Sequence, residues 1–279
     1  MKQGLKIIPD KELKKIQFNI LVELDCVCRR LKLKYSLCGG SLLGAVRHRA
    51  FIPWDDDIDI IMPRPDYDAL IDYCKSNATP FRLICHEIEP EYGCLFAKAT
   101  DKTTLIEEKN CGSKKLSYGV CIDIFPVDAL GDTIAEAQKT FSSTRFKREL
   151  LIARNWNRFF RSKTHGIIYE PFRLAFFILS RFFSRKGLIA SIEKKYTKEF
   201  GTTKYSACIC GSYRKKEIMP TDIFTEFTEL EFEGRSFMAL RDSHSYLTAI
   251  YGDYMTLPPK EKQVSHHTFT AYYKEEKYD

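Results

Sequence analysis

No Cys-x-x-Cys pair matched by a second such pair, no internal repeat, no low-complexity tract and no long apolar run at the N-terminus occur in these 279 residues. Ten cysteines are present, but Cys26/Cys28 and Cys208/Cys210 have one residue between them, the wrong spacing for structural zinc. Most of the ten sit inside apolar runs, so they read as small buried thiols in a reducing compartment rather than as a disulfide framework. The start Met1-Lys2-Gln3-Gly4-Leu5-Lys6 lacks the apolar stretch of a signal peptide, and the expected location is cytoplasmic. A hydrophobic content of 44% excludes a disordered chain. The length suits one large domain, or one domain with a helical appendage.

The net charge of +7 is unevenly placed. Between Arg145 and Lys186 eleven Lys/Arg face only Glu149 and Glu170, interleaved with aromatics that include Trp156, Phe172, Phe176, Phe177, Phe182 and Phe183. The longest uncharged apolar run there, Leu174 to Leu179, is far too short to span a bilayer. Two readings fit a basic, aromatic, helical stretch. The preferred one is a helical subdomain that packs its Phe residues onto the core and leaves a solvated Arg face. The other is a peripheral contact with the inner face of a membrane through 145–186. Nucleic acid is not the expected partner, because no recognised nucleic-acid module accompanies the charge.

The strongest chemical signal is Asp57-Ile58-Asp59-Ile60, a carboxylate pair in an apolar strand expected over Asp57–Met62. Residues i and i+2 of a strand share a face, so Asp57 and Asp59 stand roughly 7 Å apart at Cα while Ile58 and Ile60 enter the core. Two such hard oxygen donors repel each other and suit one divalent cation. The plainer reading is a polar strand end with Asp55 and Asp56 capping the turn after Pro53-Trp54. Upstream, Gly39, Gly40, Ser41 and Gly44 form a glycine turn whose backbone N–H groups can approach a phosphate. Asp123 lies in a second apolar strand, Val120 to Phe125, where an unpaired carboxylate is expensive to bury. If that strand adjoins the first, Asp123 completes a three-carboxylate site. Asp128, after the Pro126 break, reads as a helix cap.

Glycine turn, helical stretch and Asp-x-Asp together look like a nucleotidyltransferase-type active site. Gly39-Gly40-Ser41-Leu42-Leu43-Gly44-Ala45-Val46-Arg47-His48 followed by Phe51-Ile52-Pro53-Trp54-Asp55-Asp56-Asp57-Ile58-Asp59-Ile60 closely resembles the LicD family of phosphocholine transferases, with fukutin-related phosphoribitol transferases as distant relatives. Ile122-Asp123-Ile124-Phe125-Pro126-Val127-Asp128 is similar to the family's second motif. Tyr251-Gly252-Asp253-Tyr254-Met255, Pro258-Pro259 and Ser265-His266-His267 are similar to its C-terminal end. Ala50 stands where the family usually has Gly, and Gln263 where a basic residue is expected.

The resemblance implies an α+β fold, a nucleotidyltransferase-like mixed sheet flanked by helices with a helical insertion. The expected division is a catalytic core over 1–134, the basic aromatic helical segment over 135–205, and a C-terminal part over 206–279 that completes the core and the substrate pocket. It also implies a donor, CDP-choline or another CDP-alcohol, and an acceptor hydroxyl on a cell-surface glycan or its lipid-linked precursor, of the lipopolysaccharide or teichoic acid kind. Mg2+, with Mn2+ as a substitute, would sit on Asp57, Asp59 and Asp123, the last being either a ligand or the base that takes the acceptor's proton. Gly40 and Ser41 would touch phosphate. Arg47 and His48 suit the pyrophosphate and suit a helix C-terminus equally well. Lys98 reads preferably as an exposed strand residue and alternatively as a phosphate ligand. His266 and His267 enter the pocket by resemblance alone. A choline cation needs aromatic faces, for which Trp54, Tyr92, Tyr118 and Tyr251 are candidates. Two competing functions are transfer of a nucleotidyl group from an NTP with release of pyrophosphate, and non-catalytic nucleotide or membrane binding.

Among the elements, a helix is expected over Asp10–Leu31 with Asp10 as N-cap, strands over Phe81–Glu87 and Cys94–Thr100, helices from Ala135 to Phe200, a hairpin around Glu233-Gly234 and a helix over Ser243–Tyr251. The tail beyond Thr270 is expected to fray.

Overall fold

Apolar residues at helical spacing open the chain as α1 (Asp10–Leu31), with Leu13, Ile20, Leu24 and Val27 buried. The computed structural model describes residues 5–108, 116–162, 166–196, 199–264 and 269–274. Pro9, not Asp10, is the N-cap of α1; Asp10 is the first helical residue, where its charge complements the positive helix end. There follow β1 (Ser36–Leu37), α2 (Gly39–His48), β2 (Asp59–Pro63), α3 (Arg64–Ser76), β3 (Arg82–Ile84), β4 (Ala97–Thr100), β5 (Thr104–Glu108) and β6 (Cys121–Gly131). The helical segment is α4 (Ile134–Ser143), α5 (Arg145–Arg154), α6 (Glu170–Ser180) and α7 (Arg185–Glu193). The last part holds β7 (Tyr205–Ala207), β8 (Met219–Pro220), β9 (Phe227–Phe232), β10 (Arg235–Leu240), α8 (Ser243–Tyr251) and β11 (Phe269–Tyr273).

The fold is α+β around a mixed sheet of order β1-β2-β6-β4-β3, with β7 on the far half of β6 and β8 beside it. β6 is the hub: it runs parallel to β2 and antiparallel to β4 and β7. It continues straight through Pro126, where the sequence reading places a break. The reason is local. Asp123 N–H points to β2, donating to Ile58 O at 3.0 Å, so by alternation position 126 points the other way. On that side β4 has ended at Ile124 and β7 begins at Asp128, so no ladder bond is lost to the missing N–H.

Asp128 is therefore a strand residue and not a helix cap. Its carboxylate accepts from Arg64 Nε at 2.6 Å and Nη2 at 2.9 Å, a buried bidentate pair that ties α3 to β6. The cap of α4 is Thr133, whose side chain accepts from Glu136 N–H. The tail is not frayed over its first residues: Phe269–Tyr273 pairs antiparallel with Thr104–Glu108.

A further correction concerns the basic aromatic segment. Its buried core residues are mostly aliphatic, Leu150, Leu151, Leu188, Ile189 and Ile192, joined by Phe141 and Tyr196, with Phe176 partly buried against them. Ile167, Ile168, Phe172 and Phe182 are exposed, while Arg148, Arg154 and Arg181 donate to backbone carbonyls. The expected packing is met in part: Phe141 is buried and Arg145, Arg158 and Arg161 are exposed, but Phe172 and Phe182 face away from the core. No helix among the described residues is long and apolar enough to cross a membrane.

Candidate active site

Strand register assembles the site. β2 and β6 run parallel with Asp59 opposite Asp123, and antiparallel β4 puts Lys98 opposite Asp123. With neighbouring strands about 4.8 Å apart, Lys98, Asp123 and Asp59 form a row across three strands. Lys98 Nζ donates to Asp123 Oδ1 at 2.5 Å. Asp57 lies just before β2, but the intervening Ile58 is buried and bonded to Asp123 N–H, which turns Asp57 and Asp59 away from the core together. The structure thus places Asp59 opposite Asp123, with Asp57 two residues upstream.

Burial first, then the negative charges of Asp57 and Asp123, push the Asp59 carboxyl well above the usual carboxylate range, with Lys98 opposing. Burial disfavours the Lys98 ammonium, and the Asp123 carboxylate outweighs it and holds that group up. Lys98 is accordingly an internal partner of the carboxylates and not an exposed strand residue. Asp55 adds a further acid: burial raises it, while its hydrogen bond with Asp57 pulls it down. Hard oxygen donors that repel one another fit a divalent cation of the Mg2+ type. Closing on one would take side-chain rotation. The described group of His, Cys, Asp and Glu side chains whose ligand atoms already lie within 4.8 Å of one another is His86, Glu87 and Glu193, elsewhere in the fold.

Next to the acids opens a cavity of about 760 Å3. Gly40, Arg47, Asp55, Asp57 and Lys262 line it, together with Trp54, Tyr213, Tyr251 and Tyr254. Tyr213 Oη donates to Tyr251 Oη at 2.7 Å, which fixes two of those rings. Two aromatic candidates are not on that wall but beside the Lys98–Asp123 pair: Tyr92 is buried against Phe96, and Tyr118 donates its hydroxyl to Glu108.

The family description LicD/FKTN/FKRP, nucleotidyltransferase domain, matches residues 32–159, a span that holds all three carboxylates. A lipopolysaccharide cholinephosphotransferase LicD from Haemophilus influenzae is 32% identical over 273 residues, covering 96% of this chain and 99% of that protein. The chain belongs to the LicD family.

The LicD glycine motif opens helix α2. Gly39 and Gly40 are the first residues of α2, and a Cβ on Gly40 would lie 2.2 Å from Asp55 Oδ2. A carboxylate thus already rests on the positive end of α2. Ser41 Oγ accepts from Asp59 N–H at 2.8 Å, so its buried hydroxyl orients the Asp59 backbone. Gly44 must be glycine because a Cβ would meet Ala50 O at 2.5 Å. Ala50 itself needs no glycine freedom, since Arg49 takes the left-handed turn at φ +55.

Arg47 Nη1 donates to Tyr254 O at 2.8 Å, tying α2 to the C-terminal motif rather than capping its own helix. His48 stands behind it, accepting from Arg47 Nε at 3.0 Å and edge-on to Trp54. Burial, and then Arg47, hold the His48 imidazole below its ordinary value. Gln263 donates to Pro258 O at 2.8 Å, and its neighbour Lys262 joins Arg47 as a cation on the cavity wall. His266 and His267 lie outside the described residues. The sequence reading missed Asp55 as a site acid, although it sits in the quoted motif. It also missed Tyr254, part of the Tyr-Gly-Asp-Tyr signature, and Tyr213, for which the sequence carries no local signal.

Proposed function

We propose that the protein transfers phosphocholine from CDP-choline to a hydroxyl of a cell-surface glycan or its lipid-linked precursor, in a cytoplasmic setting and with Mg2+ or Mn2+ held by Asp57, Asp59 and Asp123. One observation carries the reading: a single cavity joins Asp55, Asp56 and Asp57, next to Asp59, to a wall of Trp54, Tyr213, Tyr251 and Tyr254. A quaternary ammonium offers no hydrogen bonds and is held by aromatic faces. The donor's diphosphate needs charge neutralisation, which a divalent cation would supply when bound.

In the proposed step the acceptor oxygen attacks the phosphorus that bears choline. The bond from that phosphorus to the bridging oxygen breaks, CMP leaves with the electron pair, and the acceptor's proton passes to a carboxylate. Arg47 and Lys262 flank the cavity as cations for the donor's phosphates, and Lys98 fixes Asp123. Asp123 separates into its two roles by one variant: Asp123→Asn that keeps Mg2+ affinity but loses turnover makes it the base, and loss of both makes it a ligand.

The decisive assay supplies CDP-choline, Mg2+ and a deacylated glycan acceptor, and follows nucleotide and acceptor mass. Release of CMP with one phosphocholine added is the expected result. Release of pyrophosphate from an NTP, with no turnover of CDP-choline, would replace the reading with nucleotidyl transfer.

A further inference from the structure

Helix α6 buries one residue, Ser180. Its Phe172, Leu174, Ile178 and Leu179 are all exposed, and the flanking Ile167 and Phe182 are 78% and 80% exposed. This is a continuous apolar ridge and not a scatter of single side chains. It is also firmly built. Arg181 Nη2 donates to Ala153 O at 3.0 Å and to Trp156 O at 2.7 Å, and Arg154 Nε donates to Phe183 O at 3.0 Å, stapling the ends of α5 and α6 together.

We propose that the α5–α6 hairpin docks on an anionic phospholipid surface, with α6 lying in the plane of the membrane and Ile167, Ile168, Phe172 and Phe182 inserted at the boundary of headgroup and acyl chain. Length selects the in-plane pose: eleven residues of helix reach about 16 Å, half of the ~30 Å hydrocarbon core. Charge selects the partner. The segment 145–186 carries eleven Lys/Arg against two Glu, which attracts anionic lipid. A second copy of the chain would bring the same positive excess against itself. Helix α5 also walls a second cavity of about 740 Å3, lined by Arg145, Arg148, Arg214, Lys215 and Lys216, so docking would carry a basic cavity to the lipid surface.

The test is independent of the transfer reading, because binding is read without donor or acceptor. The full-length protein is sedimented with phosphatidylcholine vesicles, with and without phosphatidylglycerol, alongside Phe172→Ser/Phe182→Ser and Arg158→Gln/Lys186→Gln. The wild type should bind the anionic vesicles at least about tenfold more tightly than the neutral ones. The apolar pair should lose about tenfold or more on anionic vesicles, the charge pair should narrow the lipid preference, and neither should move the melting midpoint. Emission of Phe182→Trp should shift to the blue on anionic vesicles. Equal binding by the wild type and the apolar pair, or no preference for anionic lipid, would overturn the proposal. So would a concentration-dependent dimer that the apolar pair abolishes, which would make the ridge a self-association face.

Discussion

Asp128 is 2% exposed and Phe182 is 80% exposed, and both invert the ordinary arrangement of polar outside and apolar inside. At the sheet the inversion is settled internally. Strand register brings Lys98 to Asp123 and Arg64 to Asp128, so each buried charge has a partner held by the backbone. On the α5–α6 hairpin the apolar ridge stays exposed among the described residues, while Arg148, Arg154 and Arg181 donate to backbone carbonyls. A buried charge without its partner should cost fold or function, whereas an exposed apolar side chain can be removed at little cost to either.

The comparison breaks most sharply at Asp59. Asp59→Asn should lower turnover about 10^3-fold, on the order of 4 kcal/mol of lost transition-state stabilisation. Its melting midpoint should stay or rise, because a carboxylate pushed up by burial and by Asp57 and Asp123 is no longer there to repel them. CMP release and a thermal melt on one preparation read both effects; retained turnover would remove Asp59 from the chemistry. Asp128→Asn probes the structural pair instead. Leaving Arg64 buried and unpaired should cost about 3–5 kcal/mol in urea unfolding, and the double change Arg64→Met/Asp128→Leu should recover most of it.

Glu217 sharpens the same contrast through pH. It is 5% exposed, accepts from Tyr213 N–H, and burial pushes its carboxyl up to about 7 from an ordinary 4.5. The folded chain therefore keeps this proton to higher pH than the unfolded one, so its contribution to stability is full below 4.5 and falls as pH rises to about 7. Glu217→Gln removes that dependence. Relative to wild type, the variant should gain about 3 kcal/mol between pH 4.5 and pH 7.5 by denaturant titration; a constant difference would contradict the assignment. The smallest effect belongs to Phe182→Ser, which should change unfolding free energy by no more than about 0.5 kcal/mol.

Local signals were legible in the chain. The bounds of α1 and α8 follow from helical periodicity, and the β9–β10 hairpin from its Glu233-Gly234 turn. Asp59 and Asp123 were legible because a carboxylate in an apolar strand needs a reason, and Asp57 by its spacing from Asp59, although β2 starts at Asp59 and not at Asp57 as expected. What stayed hidden is what register and distance decide. The partner of β5 is β11 at the opposite end of the chain, so no window of sequence could pair them. Asp128 looked like a cap because Pro126 looked like a break, and only the gap between β4 and β7 explains why the strand runs on. Ser41 and Lys98 were singled out, Lys98 preferably as an exposed strand residue, but their partners, Asp59 N–H and Asp123, follow from the packing of α2 and β4 on β2 and β6. The exposure of the α6 ridge was likewise hidden, since an amphipathic pattern does not say which face the core takes.

The account rests on three carboxylates and four aromatic rings serving one donor. A structure of the protein soaked with CDP-choline and Mg2+ tests this most directly. The predicted result is a cation about 2.0–2.1 Å from oxygens of the Asp57, Asp59 and Asp123 group and of the diphosphate, with the trimethylammonium against Trp54, Tyr213, Tyr251 or Tyr254. Donor seated in the basic cavity beside α5, with no metal at Asp59, would contradict it.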